Sequence, residues 1–332
     1  MGARIWKQLA PVVAAILLTA CSPYGQALPT RGVAASGAGL GAFGLTDEGP
    51  EPALDQPPML SLRVPPTPVR RAPQPTAGNK LRAFVSPAET LPAVLRLIDG
   101  AQRSIYLETF NFGNDAYGQQ IVPRLIAKAQ AGVEVKVVMD FLGSRFLGNH
   151  GAMIKALKAG GVDVRRYMPR GIKKDDGQPG VNILHRKVYL ADGQRGLVGG
   201  VNLMKEFDTI NQDILVEFQG PVVADLYQEF AHDYRAAGGR GKTLNPAPID
   251  AGGTAEAQVV VTSPDEGRFE AREALYAGLD SARTAIAIEN QYLWDDKLMA
   301  RLYAALERGV HVRVMIPGAE HKSVFKNIHT EE

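Results

Sequence analysis

The 332-residue chain has one cysteine, few aromatic residues and almost no net charge. A single cysteine excludes a disulfide framework within the chain and a metal site made of cysteines. The formal net charge of +2 argues against a dedicated nucleic-acid-binding protein, because such proteins usually carry a strong basic excess. The sequence also lacks the H-E-x-x-H pattern of zinc hydrolases and the G-x-S-x-G pattern of serine hydrolases. Any chemistry must therefore depend on other side chains.

The hydrophobic content of 45% and the chain length are sufficient for two modest domains. Apolar periodicity predicts helices at 90–99, 121–132, 153–159 and 222–236. Runs of β-branched and apolar residues predict strands at 104–110, 133–139, 162–167 and 181–190. Because helices and strands alternate, we predict an α/β fold, a sandwich with a mixed sheet.

The second half of the chain repeats the order of the first half. Gly309–Met315 (GVHVRVM) resembles Gly132–Val138 (GVEVKVV) at an offset of 177 residues. Ile286–Asn290 resembles Ile105–Thr109, with a change of four residues in the offset. We interpret this as an internal duplication into two lobes, separated by the Gly/Pro-rich segment 238–253. The predicted lobes cover residues 81–240 and 254–332.

The N-terminus has the pattern of a secretory signal. Two basic residues precede a short apolar run at 9–18, and small residues then lead to Cys21. The order Leu-Thr-Ala-Cys resembles a bacterial lipobox, which implies removal of residues 1–20 and a diacyl lipid on Cys21. Ser22 after the cysteine resembles the signal for sorting to the outer membrane in Gram-negative bacteria. These resemblances imply a lipoprotein of the bacterial cell envelope that faces the periplasm.

Two alternatives remain for this N-terminal segment: a single membrane helix, or an ordinary signal with an incidental cysteine. The apolar run is short for a membrane span, which needs about 20 residues. Residues 21–80 are rich in Pro, Gly and Ala, as in 64–68 (VPPTP). Such a composition buries too little apolar surface to fold. We predict that 21–80 is an extended linker, which lets the folded part reach along a membrane.

The most informative stretch is 185–202, HRKVYLADGQRGLVGGVN. On the predicted strand, His185 and Lys187 lie on the same face because side chains alternate. A histidine beside a fixed ammonium suits an anionic substrate, since imidazole can attack or move protons while the lysine holds the charge. The pair Gly199–Gly200 allows the backbone to approach a ligand closely, and Asn202 can donate its amide to an oxyanion.

The spacing His185-x-Lys187-x4-Asp192, followed by Gly199-x-x-Asn202, resembles the HxKx4D…GxxN signature of the phospholipase D superfamily. Within that superfamily the sequence is most similar to bacterial cardiolipin synthases and related phosphatidyltransferases. The alternative is an ordinary strand-turn-strand unit with an exposed polar face.

The resemblance implies both a fold and a reaction. The fold is the phospholipase D-like α-β-α sandwich with a mixed sheet and duplicated lobes. The reaction is phosphatidyl transfer or hydrolysis on phospholipids such as phosphatidylglycerol, through a phosphohistidine on His185, without a metal or another cofactor. Asp213 matches by spacing the acidic residue that orients this histidine through its ring N–H. The family more often has Ser in place of Gly200, so one hydroxyl donor is absent here.

Three acidic residues have two interpretations each. Glu108 and Glu289 end paired strands of the repeat, and the resemblance places such residues beside the substrate. The alternative for both is a solvent-facing strand end. Asp192 belongs to the family motif, yet Asp-Gly is also a turn sequence, which favours a structural role.

By the repeat offset, a second H-x-K-x4-D is expected at about position 362, whereas the sequence ends at Glu332. We therefore expect the second lobe to be incomplete. Three hypotheses remain: a phosphatidyltransferase or phospholipase, a nuclease of the same superfamily, or a non-catalytic membrane-tethered remnant. The lipid tether favours a membrane substrate over nucleic acid. A homodimer that pairs two His185 motifs is a further alternative, although the partial second lobe is expected to obstruct it.

Overall fold

The computed structural model describes residues 72–146, 150–168, 170–173, 179–205, 213–290, 293 and 295–316, and the backbone of 14–19. Its strands are β1 (Ala14–Thr19), β2 (Thr76–Phe84), β3 (Ser104–Thr109), β4 (Glu134–Asp140), β5 (Asp163–Tyr167), β6 (Arg170–Lys173), β7 (Pro179–Asn182), β8 (Val188–Ala191), β9 (Arg195–Gly199), β10 (Leu215–Gln219), β11 (Ala255–Ser263), β12 (Arg268–Phe269), β13 (Ala285–Glu289) and β14 (His311–Met315). Its helices are α1 (Pro87–Gly100), α2 (Gly118–Gln130), α3 (Phe141–Phe146), α4 (Gly151–Ala159), α5 (Val222–Ala236), α6 (Glu270–Ser281) and α7 (Asp296–Glu307).

The main sheet has the strand order β1-β11-β2-β10-β9-β8-β3-β4-β5. Strands β3, β4 and β5 are parallel, as their crossovers through helices require. Strands β8, β9, β10 and β2 run antiparallel to their neighbours, which makes the sheet mixed. Every residue of β3 is buried, the pattern of a strand covered on both faces. The sheet is thus the middle layer of a sandwich.

Helices cover this sheet on both sides. Helices α1, α2 and α4 pack over a core that includes Val94, Ile121 and Leu157. Helix α5 belongs to a second core, where Tyr227 and Phe230 pack with residues from the strands. Both cores follow from the apolar spacing of the helices, which places one stripe of each helix against the sheet. The predicted α/β sandwich with a mixed sheet is confirmed.

The predicted duplication appears as the same β-α-β unit in both halves. Strands β3 and β4 are parallel and pair Ser104 with Glu134. Strands β13 and β14 are also parallel and pair Ala285 with His311. Glu134 and His311 are 177 residues apart, the offset of the sequence repeat. Unlike their counterparts, β13 and β14 form a two-stranded sheet of their own.

The structure moves two predicted boundaries. Strand β2 begins at Thr76, so the last residues of the predicted 21–80 linker belong to the main sheet. The predicted strand 181–190 is interrupted, because β7 ends at Asn182 and β8 starts at Val188. Between them the backbone is bound by the Asp140 side chain at Leu184 and by Gly199 of β9 at Lys187.

The N-terminal region is described only through the backbone of Ala14–Thr19. This backbone pairs in parallel with β11 at the edge of the main sheet. The segment lies within the predicted signal 1–20, whose removal stays a prediction. In the ranges given above, no helix is long and apolar enough to cross a membrane.

Candidate active site

The motif segment 183–187 lies between β7 and β8 and belongs to no strand. Asp140, the last residue of β4, holds its backbone: the Leu184 N–H donates to Asp140 Oδ2 at 2.9 Å. The same carboxylate accepts from the N–H of Gly143 at 2.9 Å and from that of Leu142. Burial raises the pKa of Asp140, and these backbone donors lower it. Asp140 was not identified from the sequence, although an acidic residue that ends a buried strand was a usable signal.

His185 and Lys187 leave this segment on the same side, as predicted. Both contact Phe110: the His185 ring centroid lies 4.8 Å from the Phe110 centroid, and Lys187 Nζ lies 5.6 Å from it. Lys187 Nζ also donates to the His185 carbonyl oxygen at 2.7 Å. His185 is partly exposed, whereas Lys187 is only 3% exposed. The imidazole is therefore accessible to a ligand, and the ammonium lies next to it below the surface.

Burial changes the ionisation of both side chains. It lowers the pKa of His185 to about 3, and the positive charge of Lys187 acts in the same direction. The pKa of Lys187 falls to about 7, because burial outweighs the attraction of Asp213 and Asp140. Near neutral pH the imidazole is therefore uncharged, the form that can attack phosphorus. A bound phosphate anion would raise the pKa of Lys187 and keep it charged.

Asp213 lies beside Lys187 and is held by backbone. Its carboxylate accepts from the N–H of Ile214 at 2.7 Å. Burial raises its pKa, and the Ile214 N–H and Lys187 lower it. The predicted hydrogen bond from the His185 ring to Asp213 is not found among the described residues. The electrostatic partner of Asp213 at the site is the Lys187 ammonium.

Asn202 is 8% exposed and is oriented by the residues that follow β3. Its Oδ1 accepts from the Asn111 N–H at 3.1 Å and from the Thr109 hydroxyl at 3.4 Å. Since the oxygen is engaged, the Nδ2 group is the one that can donate, as the predicted oxyanion role requires. The buried His150 contacts Asn111 Oδ1 through Nε2 at 2.9 Å. Asn111 and His150 were not identified from the sequence, since neither lies near the motif along the chain.

Both motif glycines are required by close contacts. A Cβ on Gly199 would lie 2.0 Å from the Ile214 carbonyl oxygen, and a Cβ on Gly200 would lie 2.2 Å from both Asp213 carboxylate oxygens. The Ser that the family more often has at position 200 therefore fits only if Asp213 moves. The Gly199 N–H donates to the Lys187 carbonyl at 3.3 Å, and the Gly200 N–H donates to the Ile214 carbonyl at 3.1 Å. The structure shows close packing at both glycines, and their predicted substrate-binding role stays a prediction.

We expect Gly199→Ala to lower the free energy of unfolding by about 1–3 kcal/mol, because its new methyl group meets rigid backbone. The matched control is Gly278→Ala in α6, where a Cβ meets nothing within 4 Å. We expect this control to raise the free energy of unfolding by up to about 1 kcal/mol, because alanine favours a helix more than glycine does. Urea unfolding of both variants checks the prediction, and equal stability of Gly199→Ala and wild type would contradict it.

Asp192 has a structural role at the end of β8 away from His185. Its Oδ1 accepts from the N–H of Arg103 at 2.7 Å and of Ser104 at 2.9 Å, and its Oδ2 accepts from that of Gln102 at 2.8 Å. Partial burial raises the pKa of Asp192, but these donors outweigh it and lower the pKa. Its backbone φ of +57° is left-handed, as in an Asp-Gly turn. The turn interpretation is confirmed, and a catalytic role is not supported.

The structure also corrects the two predicted glutamates. Glu289 is exposed at the end of β13, in the separate two-stranded sheet. Glu108 is 1% exposed and lies 3.3 Å from the Nε of Arg186. Arg186 stands between the two motif residues and was missed in the sequence. Neither glutamate lies in the substrate-binding position beside His185 that the resemblance implies. Equivalent strands of a repeat need not end at the same site.

Two other predictions lie beyond what the structure tests. Cys21 is outside the described residues. In the described ranges, no three His, Cys, Asp or Glu side chains are grouped so as to hold a metal ion.

Comparisons with known proteins agree with this geometry. Residues 94–234 match the family model described as "Cardiolipin synthase, PLD-like domain". Cardiolipin synthase A of Pseudomonas aeruginosa is 31% identical over 268 residues, covering 77% of this chain and 54% of that protein. Cardiolipin synthase B of Escherichia coli K12 is 30% identical over 255 residues, covering 73% and 60%. The chain thus spans little more than half the length of these curated relatives.

Among solved structures, phosphatidylserine synthase of Haemophilus influenzae superposes with a TM-score of 0.51 at 15% identity. The match covers 71% of this chain and 61% of that one, and it supports the fold. The residues that match the family model include His185, Lys187 and Asn202. The chain therefore contains a phospholipase D-like domain of the cardiolipin synthase family.

Proposed function

We propose that this protein transfers or hydrolyses the phosphatidyl group of phospholipids, with His185 as the nucleophile. The observation that carries the proposal is an uncharged, partly exposed imidazole beside the buried ammonium of Lys187. This pair suits a phosphodiester anion, because the nucleophile is free of a proton while the neighbouring cation attracts the phosphate. The cardiolipin synthase relatives indicate a lipid such as phosphatidylglycerol as the phosphodiester.

The reaction has two steps. An imidazole nitrogen of His185 attacks phosphorus, and the bond from phosphorus to the leaving alcohol breaks. The Lys187 ammonium and the Asn202 amide offset the charge on the phosphoryl oxygens in the transition state. A second alcohol, or water, then attacks the phosphohistidine and loses its proton, which restores neutral His185. Transfer to phosphatidylglycerol forms cardiolipin and releases glycerol, whereas transfer to water forms phosphatidic acid.

The leaving alkoxide needs a proton in the first step. The family resemblance assigns this proton to a second histidine, from a second motif. We propose that a second motif in a longer chain, or a second copy of this chain in a homodimer, supplies it. The membrane location is proposed on the sequence alone, through a lipid on Cys21 in the bacterial cell envelope.

Product analysis tests the proposed function. The purified chain is incubated with mixed micelles that contain labelled phosphatidylglycerol, and lipid products are separated by chromatography. Cardiolipin or phosphatidic acid, with an acid-labile label on the protein after rapid quenching, supports the proposal. Release of nucleotides from single-stranded DNA without lipid products supports the nuclease. Neither product, in a protein that folds, supports the non-catalytic remnant.

The pKa of Lys187 predicts how the activity depends on pH. Because this pKa is lowered from 10.5 to about 7, the ammonium loses its proton as pH rises through about 7. We expect kcat/KM, which reports the free enzyme, to fall about tenfold per pH unit above that value. Lys187→Arg keeps a charge throughout, so its profile should stay flat on the alkaline side. If kcat/KM falls equally with pH above about 7 in both proteins, a group other than Lys187 causes the fall.

A further inference from the structure

Arg186 lies between the two motif residues and contacts a different part of the molecule. It is 5% exposed, and its Nη2 donates to Asp233 Oδ1 at 2.9 Å. Its Nε lies 3.3 Å from Glu108 Oε1, and its Nη1 lies 3.9 Å from Glu229 Oε2. Asp233 and Glu229 belong to α5, whereas His185 contacts Phe110 after β3. The side chain of Arg186 is therefore anchored in a buried charge cluster that does not include the motif side chains.

The second half of the chain completes this cluster. Arg268, in β12, is 2% exposed, and its Nη1 donates to Glu229 Oε2 at 3.0 Å. Its Nε donates to Glu270 Oε1 at 3.0 Å. We use the term Arg186 socket for the buried residues Glu108, Glu229, Asp233 and Arg268.

Two more contacts join the segment between β11 and α6, in the second half, to the first half. Glu266 Oε1 lies 2.6 Å from Nε2 of His232 in α5. Asp265 accepts a hydrogen bond from the Asn182 side chain, just before the motif segment. The segment between β11 and α6 is thus held against α5 and against Asn182, which directly precedes the motif segment.

The charges in the socket balance if one carboxyl keeps its proton. Within the socket, Arg186 and Arg268 face three carboxyl groups, from Glu108, Glu229 and Asp233, whereas the Glu270 carboxylate that also binds Arg268 is more exposed. Burial raises the pKa of Glu108 well above its usual range, and the charge of Asp233 and a hydrogen bond to it act in the same direction. With Glu108 protonated, the two guanidinium groups face the two remaining buried carboxylates, of Glu229 and Asp233. A neutral cluster avoids the large cost of a lone buried charge.

We propose that Arg186 is a positioning residue, and that the Arg186 socket, completed by Arg268 from the second half, sets the orientation of His185 and Lys187. Arg186 binds Asp233 of α5, whereas His185 and Lys187 on either side of it contact Phe110, so anchoring the middle residue limits how the outer two can move. The second half thereby acts on the motif without contacting the substrate. The tests of this proposal that measure activity rest on the proposed function.

The first experiment compares Arg186→Lys with wild type in the full chain. A lysine cannot engage two carboxyl groups through a planar fork, so the segment is expected to shift. We expect kcat to fall about 10- to 100-fold with KM within about twofold, as for a small misplacement of a reacting group. Independently of activity, the NMR signal of the His185 ring should move. The control is Arg301→Lys, whose Nε lies 3.3 Å from Asp280 at the surface, and it should change neither measurement.

The second experiment tests the contribution of the second half and the charge balance. Arg268→Lys is expected to move the His185 ring signal in the same direction as Arg186→Lys. Asp233→Asn removes a negative charge that faces Arg186. Glu108→Gln changes little, because a neutral Gln resembles the protonated acid already present there. We therefore expect Asp233→Asn to lower kcat by about tenfold more than Glu108→Gln does.

The outcomes separate this proposal from the proposed function. An unchanged ring signal in folded Arg186→Lys and Arg268→Lys would overturn the positioning role. A moved signal in a chain that shows no phosphatidyl transfer even as wild type would support the socket and reject the reaction. Equal losses in Glu108→Gln and Asp233→Asn would overturn the neutral charge assignment. Arg186→Lys is conservative enough to fold, and circular dichroism of each variant verifies this.

Discussion

His185→Ala is expected to reduce phosphatidyl transfer by about 10⁴-fold or more, because it removes the proposed nucleophile, which would carry the phosphatidyl group between the two steps. The imidazole is uncharged near neutral pH and partly exposed. Its removal therefore leaves no unpaired charge, and the fold is expected to persist. Turnover of labelled phosphatidylglycerol gives the rate, and rapid quenching in a neutral denaturant shows whether the protein still becomes labelled.

The matched control for this loss is His311→Ala. His311 is exposed on β14, in the two-stranded sheet of the second half, and contacts no motif residue. We expect His311→Ala to keep the wild-type rate. Full activity of His185→Ala, or phosphohistidine labelling that persists without His185, would remove His185 as the nucleophile.

Lys187→Met is expected to make the protein inactive and at the same time more stable. The pKa of Lys187 is lowered from 10.5 to about 7, mainly by burial, so a charged Lys187 costs stability in the folded state. A shift of one pKa unit corresponds to about 1.4 kcal/mol, so an apolar side chain of similar length is expected to stabilise the folded protein by about 1–4 kcal/mol at pH 6. Activity is lost because no cation remains beside the substrate phosphate. Such a trade of stability for function is common at active sites.

The stability difference between Lys187→Met and wild type is expected to change with pH in a defined direction. Below pH 7, Lys187 is charged in both the folded and the unfolded chain, and the cost is fully present. Between about 7 and 10.5 the unfolded chain binds the extra proton, so wild-type stability rises with pH relative to the variant. Urea unfolding at pH 6 and pH 9 should therefore show a larger advantage of Lys187→Met at pH 6.

The surface variant Lys155→Met is the control for this measurement. Lys155 is exposed on α4, and its replacement should change stability by less than about 0.5 kcal/mol at either pH. A Lys187→Met protein that is less stable than wild type at pH 6 would show that the ammonium is compensated in the folded state.

The sequence alone predicted the chemistry of the motif and much of the secondary structure. Helix α5 spans 222–236 as predicted, and β4 and β5 lie within one residue of the predicted ends. These predictions succeed because apolar periodicity is local and reports which face of an element is buried. The pairing of β13 with β14 follows the repeat offset for the same reason, since a duplicated sequence makes the same local unit.

Contacts between distant residues were decided by the tertiary structure. Asp140 binds the Leu184 N–H across 44 positions, and Arg186 reaches Asp233 across 47. Periodicity cannot show such partners, because it identifies a buried face but not the element that packs against it. For the same reason Glu108 was expected beside the substrate and is found in the Arg186 socket. The sequence by itself determined which residues we propose for the reaction, and only the packing of the two halves decided which buried charges surround the motif segment.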